Sequence, residues 1–390
     1  MGFRAHAGLA LALLASASLS AASAATAQVV APPAAPADTV TAIARARNPL
    51  PAESASAGVT RFSFIVYGDT RGRRDGVDPQ YEHSLIVDAM LRTIAQRAAG
   101  PSPVTFILQS GDAVVNGGDA RQWNKSFIGL INRLTTAGGV PYFLAPGNHD
   151  VTTAVALDDP RRRAGLTNYL RAMAQLIPPD GATRRLRGYP TYAFGYGNTF
   201  VLALDSNIGD DSTQFAWGRA QLEGLDRKRY PNVVAFFHHP IYSSGPHGAA
   251  IIERQTQVMR DRWMPVFRTH GVRLLVTGHE HLFEHWIERY RDSKGATRRM
   301  DQFVTGGGGA PLYPYMGEPD LRAYLTASGA DSSRVEHLVK PGMERGDNPY
   351  HYVVVNVDGD RFSVEVLSVD WGTGFAPYRS NRATLRDSLP

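Results

Sequence analysis

Five short polar blocks each close an apolar, strand-like run, and they confine the chain to folds in which several strands end at one edge. In order they read Tyr67-Gly-Asp69-Thr-Arg71, Ser110-Gly-Asp112-Ala, Gly147-Asn148-His149-Asp150, His238-His239-Pro240 and Gly278-His279-Glu-His281. They supply two carboxylates, an amide and several imidazoles. A set of that kind holds two divalent metals side by side, and a phosphate ester bound across the pair is open to attack by hydroxide activated there. Taken singly, each block has an ordinary reading: a Gly-Asp after a strand caps a helix or makes a turn, and His-His-Pro packs a corner. Their joint occurrence, in order and at strand ends, is what points to a metal-dependent hydrolase of phosphate esters.

The spacing between the blocks predicts a β/α rhythm from Arg61 onward. Expected strands are 62–67, 104–108 and 141–145, with helices over 81–99 and 121–134 between them. Strands alternating with helices imply parallel pairs with ligands at the C-terminal strand ends. A polar, Arg-rich insertion at 152–188 is expected to be helical in part. The runs 191–196 and 199–205, joined through Gly197-Asn198, read as a hairpin. Further on come a helix over 214–227, strand 233–237, an amphipathic stretch 254–268 and strand 272–276. A second insertion runs through about Asn348, before a closing hairpin of 352–357 and 362–369 around Asp358-Gly359. The expectation is one α/β domain of two mixed sheets packed together, with helices outside.

Residues 1–27 read as a signal peptide: Arg4 and His6, an Ala/Leu core from Gly8 to Leu19, then A-x-A sites before Gln28. That core is too short for a span, which needs about 20 apolar residues. No other stretch reaches that length, so an exported chain, periplasmic or secreted, is expected. Residues 28–60, rich in Pro and Ala, are expected to form a flexible leader, 61–370 the folded domain, and 371–390 a C-terminal tail.

There is no cysteine, which excludes thiolate zinc sites and Cys nucleophiles. Any metal must be held by oxygen and imidazole nitrogen. The formal charge of +5 is spread over a large chain, and no basic stripe interleaved with aromatics marks a nucleic-acid module. Gly306 to Gly309 lacks the Lys-Ser/Thr of a P-loop and reads as a tight turn beneath the site. No serine has the G-x-S-x-G setting of an esterase.

Asp112 is the best bridge between two ions, because it leaves a strand into an open loop. Asp69 would serve the first metal and the neutral amide of Asn148 the second. His279 and His281, two apart on an extended segment, point to different metals, and His238 completes the second site. These donors suit Zn, Mn, Fe or Co rather than Ca. His83, on the first helix, reads as a surface histidine, and Asp205-Ser206-Asn207 as a turn.

The blocks resemble the pattern D-x-H, G-D, G-N-H-[DE], H, G-H-x-H of the calcineurin-like metallophosphoesterases, over about residues 61–370. The stretch His238 to His247, with Trp263-Met-Pro-Val-Phe and Gly278 to His285, is similar to the purple acid phosphatase branch. The resemblance implies a four-layer αββα sandwich. It implies Asp69, Asp112 and His281 on metal one, and Asp112, Asn148, His238 (rather than His239) and His279 on metal two. His149 would touch the phosphate or protonate the leaving oxygen, and Asn148, His149, Arg71 and His247 would contact the substrate. Two positions depart from the pattern. Arg71 stands where the D-x-H histidine is expected, which weakens metal one and offers a guanidinium to the phosphate. Val115 stands where purple acid phosphatases carry their tyrosine ligand. The expected substrate is a small phosphate mono- or diester. The alternative is a non-catalytic protein that holds phosphate compounds on the same fold, with metal one impaired.

Overall fold

Strands of two mixed sheets alternate with the helices that cover them in the computed structural model. It describes residues 39–370, except 154, 177–183, 244, 249–251, 314–329 and 338–348, and in addition a strand at 374–377. The expected signal peptide, the first part of the leader and most of the tail lie outside the described residues.

The chain runs β1 (Arg61–Tyr67), α1 (Tyr81–Arg97), β2 (Val104–Gln109), then α2 (Ile128–Asn132), which wider helical turns extend at both ends, and β3 (Tyr142–Leu144). The short α3 (Asn148–Val151) and α4 (Pro160–Ala172) follow, then β4 (Tyr192–Tyr196) and β5 (Thr199–Ala203). Next come α5 (Ser212–Glu223), β6 (Asn232–Phe236), α6 (Arg254–Val258), α7 (Met264–Thr269) and β7 (Leu274–Thr277). The last strands are β8 (Phe283–Arg291), β9 (Thr297–Thr305), β10 (Ala330–His337), β11 (Tyr350–Asp358), β12 (Arg361–Asp370) and β13 (Gly374–Pro377). One sheet is ordered β13-β12-β11-β1-β2-β3 and the other β10-β8-β9-β7-β6-β5-β4. β1, β2 and β3 are parallel, as are β5, β6, β7 and β9, while the remaining pairs are antiparallel.

Side-chain alternation along the central strands divides the core, because successive residues of a strand face opposite sides. Val234 and Phe236 of β6 and Leu274 and Val276 of β7 join Phe64, Phe106 and Phe143 between the sheets. Val233, Ala235 and Leu275 face the other way, under Leu222, Met264 and Phe267 of α5 and α7. Covered on both faces, these strands read as unbroken apolar runs, and the result is the expected sandwich. No described helix is long and apolar enough to cross a membrane.

The segment expected to be a flexible leader is corrected from residue 39 onward. Val40, Ile43 and Leu50 are buried, and the backbone is tied at Ile43 N–H to Ala172 O (3.0 Å) and Arg47 N–H to Thr135 O (2.9 Å). Three apolar side chains among the Pro and Ala residues suffice to strap it over α2 and α4. At the other end β13 pairs with β12, so the sheet extends past 370. His83 is also corrected: it is fully buried, with Tyr67 Oη at 3.0 Å and Gln80 Oε1 at 2.8 Å.

Candidate metal centre

β1, β2, β3, β6 and β7 each end two to four residues before a motif residue, so the five blocks meet where the C-terminal edges of the two sheets converge. Backbone bonds join these loops directly. Asp69 N–H donates to Gly111 O (2.9 Å), Thr70 and Arg71 N–H to Asp112 O (2.9 and 3.1 Å), and Gly278 N–H to His238 O (3.0 Å). The 306–309 loop closes beneath them, with Gly308 N–H on Gly68 O (2.8 Å) and Ala310 N–H on Asp69 O (2.8 Å). Asp69, Asp112 and His279 all adopt left-handed backbone, at φ 57°, 55° and 72°. Such conformations cost energy in a non-glycine residue and concentrate at functional sites. Gly111 is required where it stands: its φ is 111°, and a Cβ there would lie 2.6 Å from Gly147 N.

Asn148 Oδ1 lies 2.8 Å from His238 Nε2 and 3.2 Å from His279 Nδ1, these two nitrogens are 3.1 Å apart, and Asp112 Oδ1 is 3.4 Å from His238 Nε2. Bonds of about 2.0–2.1 Å to one ion set its ligand atoms about 3.0–3.4 Å apart, which these separations fit. The second nitrogen of each ring fixes the tautomer. His238 Nδ1 faces Ser110 O at 2.9 Å, and His279 Nε2 faces the Glu253 carboxylate at 3.0 Å, so both must donate. The inward nitrogens therefore carry lone pairs, as does Asn148 Oδ1. Acceptors so close to one another repel unless a cation or donor sits between them, and outer partners of this kind are what orient metal-binding histidines.

The other donors lie on the far side of Asp112. His281 Nδ1 donates to Pro311 O (2.7 Å), and its Nε2 is 3.6 Å from Asp69 Oδ1. Both Asp69 oxygens accept the His279 N–H at 3.0 Å. Arg71 reaches into the same space, with Nε 3.3 Å from Asp112 Oδ2 and Nη2 3.4 Å from His281 Nε2.

Burial, and then the nearby charge of Asp112, push the Asp69 carboxyl well above its usual range. Burial acts on Asp112 too, but His238, His149 and Arg71 outweigh it and hold that carboxyl low. Two buried carboxylates resist ionising together, a conflict that a cation between them removes. Burial lowers His238 and His281 to about 3, so both rings are neutral at neutral pH, as ligands must be.

The structure thus brings together all six expected ligands and Arg71. His239 instead turns Nδ1 to Ser206 Oγ at 2.9 Å. His149 donates Nδ1–H to Val115 O (2.7 Å) and, with Asn148, lines a cavity of about 420 Å³. His247 sits at the rim, its N–H on Glu280 Oε1 (2.8 Å) and its ring beside Glu280 Oε2 (3.2 Å), a hydrogen bond that raises its pKa. A larger cavity, about 650 Å³, opens at the opposite edge of the second sheet beside Pro231, Arg273 and Tyr290, and contains no motif residue.

Four residues went unread in the sequence. Glu253 orients His279, Glu280 holds His247, and Tyr313 stacks on His281 with ring centroids 4.2 Å apart. Asp150, quoted within its block but given no role, accepts from Gly147 N–H (2.8 Å) and Ala113 N–H (2.9 Å) and so locks two motif loops together. Asp150 and Glu280 each had a signal, their places inside Gly-Asn-His-Asp and Gly-His-Glu-His, whereas Glu253 and Tyr313 had none.

Residues 63–283, more than half of the chain, match the family model of the calcineurin-like phosphoesterases. Purple acid phosphatase 18 of Arabidopsis thaliana is 28% identical over 120 residues, 30% of this chain and 26% of that protein. Probable purple acid phosphatase 20 of the same plant is 25% identical over 154 residues, 39% of this chain and 34% of that protein. These matches span about a third or less of the length of the curated relatives. Among solved structures, a purple acid phosphatase from yellow lupin (Lupinus luteus) seeds has a TM-score of 0.54 at 17% identity, covering 80% of this chain and 52% of that one, a likeness of fold. The relatives are thus of the branch that the His238–His247 stretch resembles. The chain belongs to the calcineurin-like phosphoesterase family.

Proposed function

We propose that the chain is an exported, metal-dependent hydrolase of small phosphate mono- or diesters. The observation that carries this reading is the convergence of Asn148 Oδ1, His238 Nε2 and His279 Nδ1 beside Asp112, an array of lone pairs at the separations that a bound cation sets. The family pattern provides for two divalent ions, and Mn, Fe, Zn or Co fit such oxygen and imidazole donors. When bound, they neutralise phosphate oxygens and activate water. Asp112, Asn148, His238 and His279 form the complete donor set, while Asp69, Asp112 and His281 form the other.

The remaining groups handle substrate and proton. His149 keeps its Nδ1–H on Val115 O and lines the cavity; as an imidazolium it gives its second proton, on Nε2, to the leaving oxygen and is left as the neutral ring. Arg71 offers a guanidinium to the phosphate, and His247, made more basic by Glu280, adds positive charge at the rim. Export rests on residues 1–27 and their signal-peptide pattern.

Turnover of p-nitrophenyl phosphate and of its bis-ester, with added Mn²⁺, tests the reading and separates monoesterase from diesterase. Metal binding without turnover of either ester would favour a non-catalytic phosphate-binding protein.

A further inference from the structure

Resting on the phosphoesterase reading, we propose that the chain holds one tight divalent ion, at Asp112, Asn148, His238 and His279, and that the Arg71 guanidinium takes the place of the second. Asp69, Asp112 and His281 would have to bind that second ion. The Nε2 lone pair of His281 is fixed by the Nδ1 bond to Pro311 O (2.7 Å), and Arg71 Nη2 lies 3.4 Å from it. Asp112 Oδ2, the oxygen turned away from His238, has Arg71 Nε at 3.3 Å. One planar cation therefore spans two of the three donors. An ion bridging the same two atoms competes for the same lone pairs and meets a like charge.

The guanidinium is held there by the fold. Arg71 N–H donates to Asp112 O at 3.1 Å, which starts the side chain over Asp112, and only 19% of that side chain is exposed. Tyr313 stacks on the His281 ring, with centroids 4.2 Å apart. Asp69 is already served by the His279 N–H at 3.0 Å to both oxygens.

Charge leads to the same result. Asp69 and Asp112 carry two negative charges, so one divalent ion and Arg71 leave a net of +1, suited to a phosphate anion; two divalent ions and Arg71 would leave +3. Among the described residues Arg71 Nη1 has no hydrogen-bond partner, so a donor remains for the phosphate oxygen that a second ion would otherwise hold.

The test is a metal count that does not depend on turnover. Metal-stripped protein is titrated with Mn²⁺ by calorimetry, and the loaded protein is read by electron paramagnetic resonance. The expected result is one tight ion per chain with an isolated-ion spectrum, and any second ion at least about 100-fold weaker. Arg71→His should bring the count to two, with an exchange-coupled spectrum. Arg71→Gln, which removes the charge without adding an imidazole, should raise the second affinity by less. Two tight ions or none in the wild type, or an Arg71→His protein that still binds one, would overturn the proposal. The wild-type count decides it even if a variant fails to fold. The expected counts with no ester turnover would overturn the phosphoesterase reading alone.

Discussion

At the residue scale, the ligands were legible because metal chemistry restricts which side chains can serve. Aspartate, asparagine and histidine at strand ends announce themselves, whereas Glu253 and Tyr313 reach the centre only through the fold and sit in no motif. His149 allows a sharp separation of chemistry from binding. Its backbone N–H donates to Asp112 Oδ1 (3.0 Å) and its ring to Val115 O, so the imidazole touches no ligand atom. His149→Ala should keep its metal and lose roughly 10²-fold or more in kcat, the size of a general-acid effect; metal loss in parallel with rate would make His149 a ligand. Asp112 is the opposite case. One oxygen faces His238 and the other Arg71. Asp112→Ala should abolish activity and cut bound metal far below the wild-type count, as measured by elemental analysis of the purified variant.

At the element scale, the strands that carry motifs were read correctly, and β8 was missed. Phe283–Arg291 looks too charged for a buried strand, yet its polar residues are matched across the fold. Trp286 Nε1–H donates to Glu284 (2.7 Å), His285 meets Asp301 (2.7 Å) and Arg268 meets Glu288 (2.6 Å). Paired polar groups can be buried at modest cost, and a hydropathy pattern cannot see the pairing. Residues 39–60 are the converse case, since their three spaced apolar side chains give no periodic signal although they are buried. Glycines show how differently one residue type acts in two elements. Gly111 lies in the loop after β2 at φ 111°, where a Cβ meets Gly147 N at 2.6 Å, while Gly129 lies exposed in α2 with nothing within 4 Å. Gly111→Ala should lower the melting temperature and weaken metal binding, because it pushes apart the loops bearing Asp112 and Asn148. Gly129→Ala should stabilise by about 0.5–1 kcal/mol through helix propensity. A thermal melt of each, with and without Mn²⁺, checks both signs.

At the scale of the whole molecule, buried groups outside the ligand set contribute to the response to acid. His83 is lowered to about 3 and His351 to about 4 by burial. An ordinary histidine titrates near 6.5, so as pH falls from 6.5 the unfolded chain takes up these protons while the fold does not. Their stabilising effect is complete above pH 6.5 and is lost as pH drops toward 3 to 4. Asp75 and Asp205 act in the opposite sense. Burial raises both to about 6, so the fold binds their protons before the unfolded chain does, and stability rises as pH falls from 6 toward 4. Two terms of each sign leave the overall profile flatter than the histidines alone would make it. A single variant resolves the balance. His83→Gln removes one acid-labile group and leaves the aspartates in place. At pH 7 it should be less stable than wild type, because Tyr67 Oη and Gln80 lose a buried partner. By pH 5 the deficit should shrink by on the order of 2 kcal/mol, following 1.36 kcal/mol per pH unit. Urea unfolding at each pH, with chelator present so that metal binding does not enter, measures this directly. A deficit that stays constant from pH 7 to 5 would mean that His83 accepts its proton within the fold, and that the Tyr67–His83–Gln80 network beneath β1 is open to water.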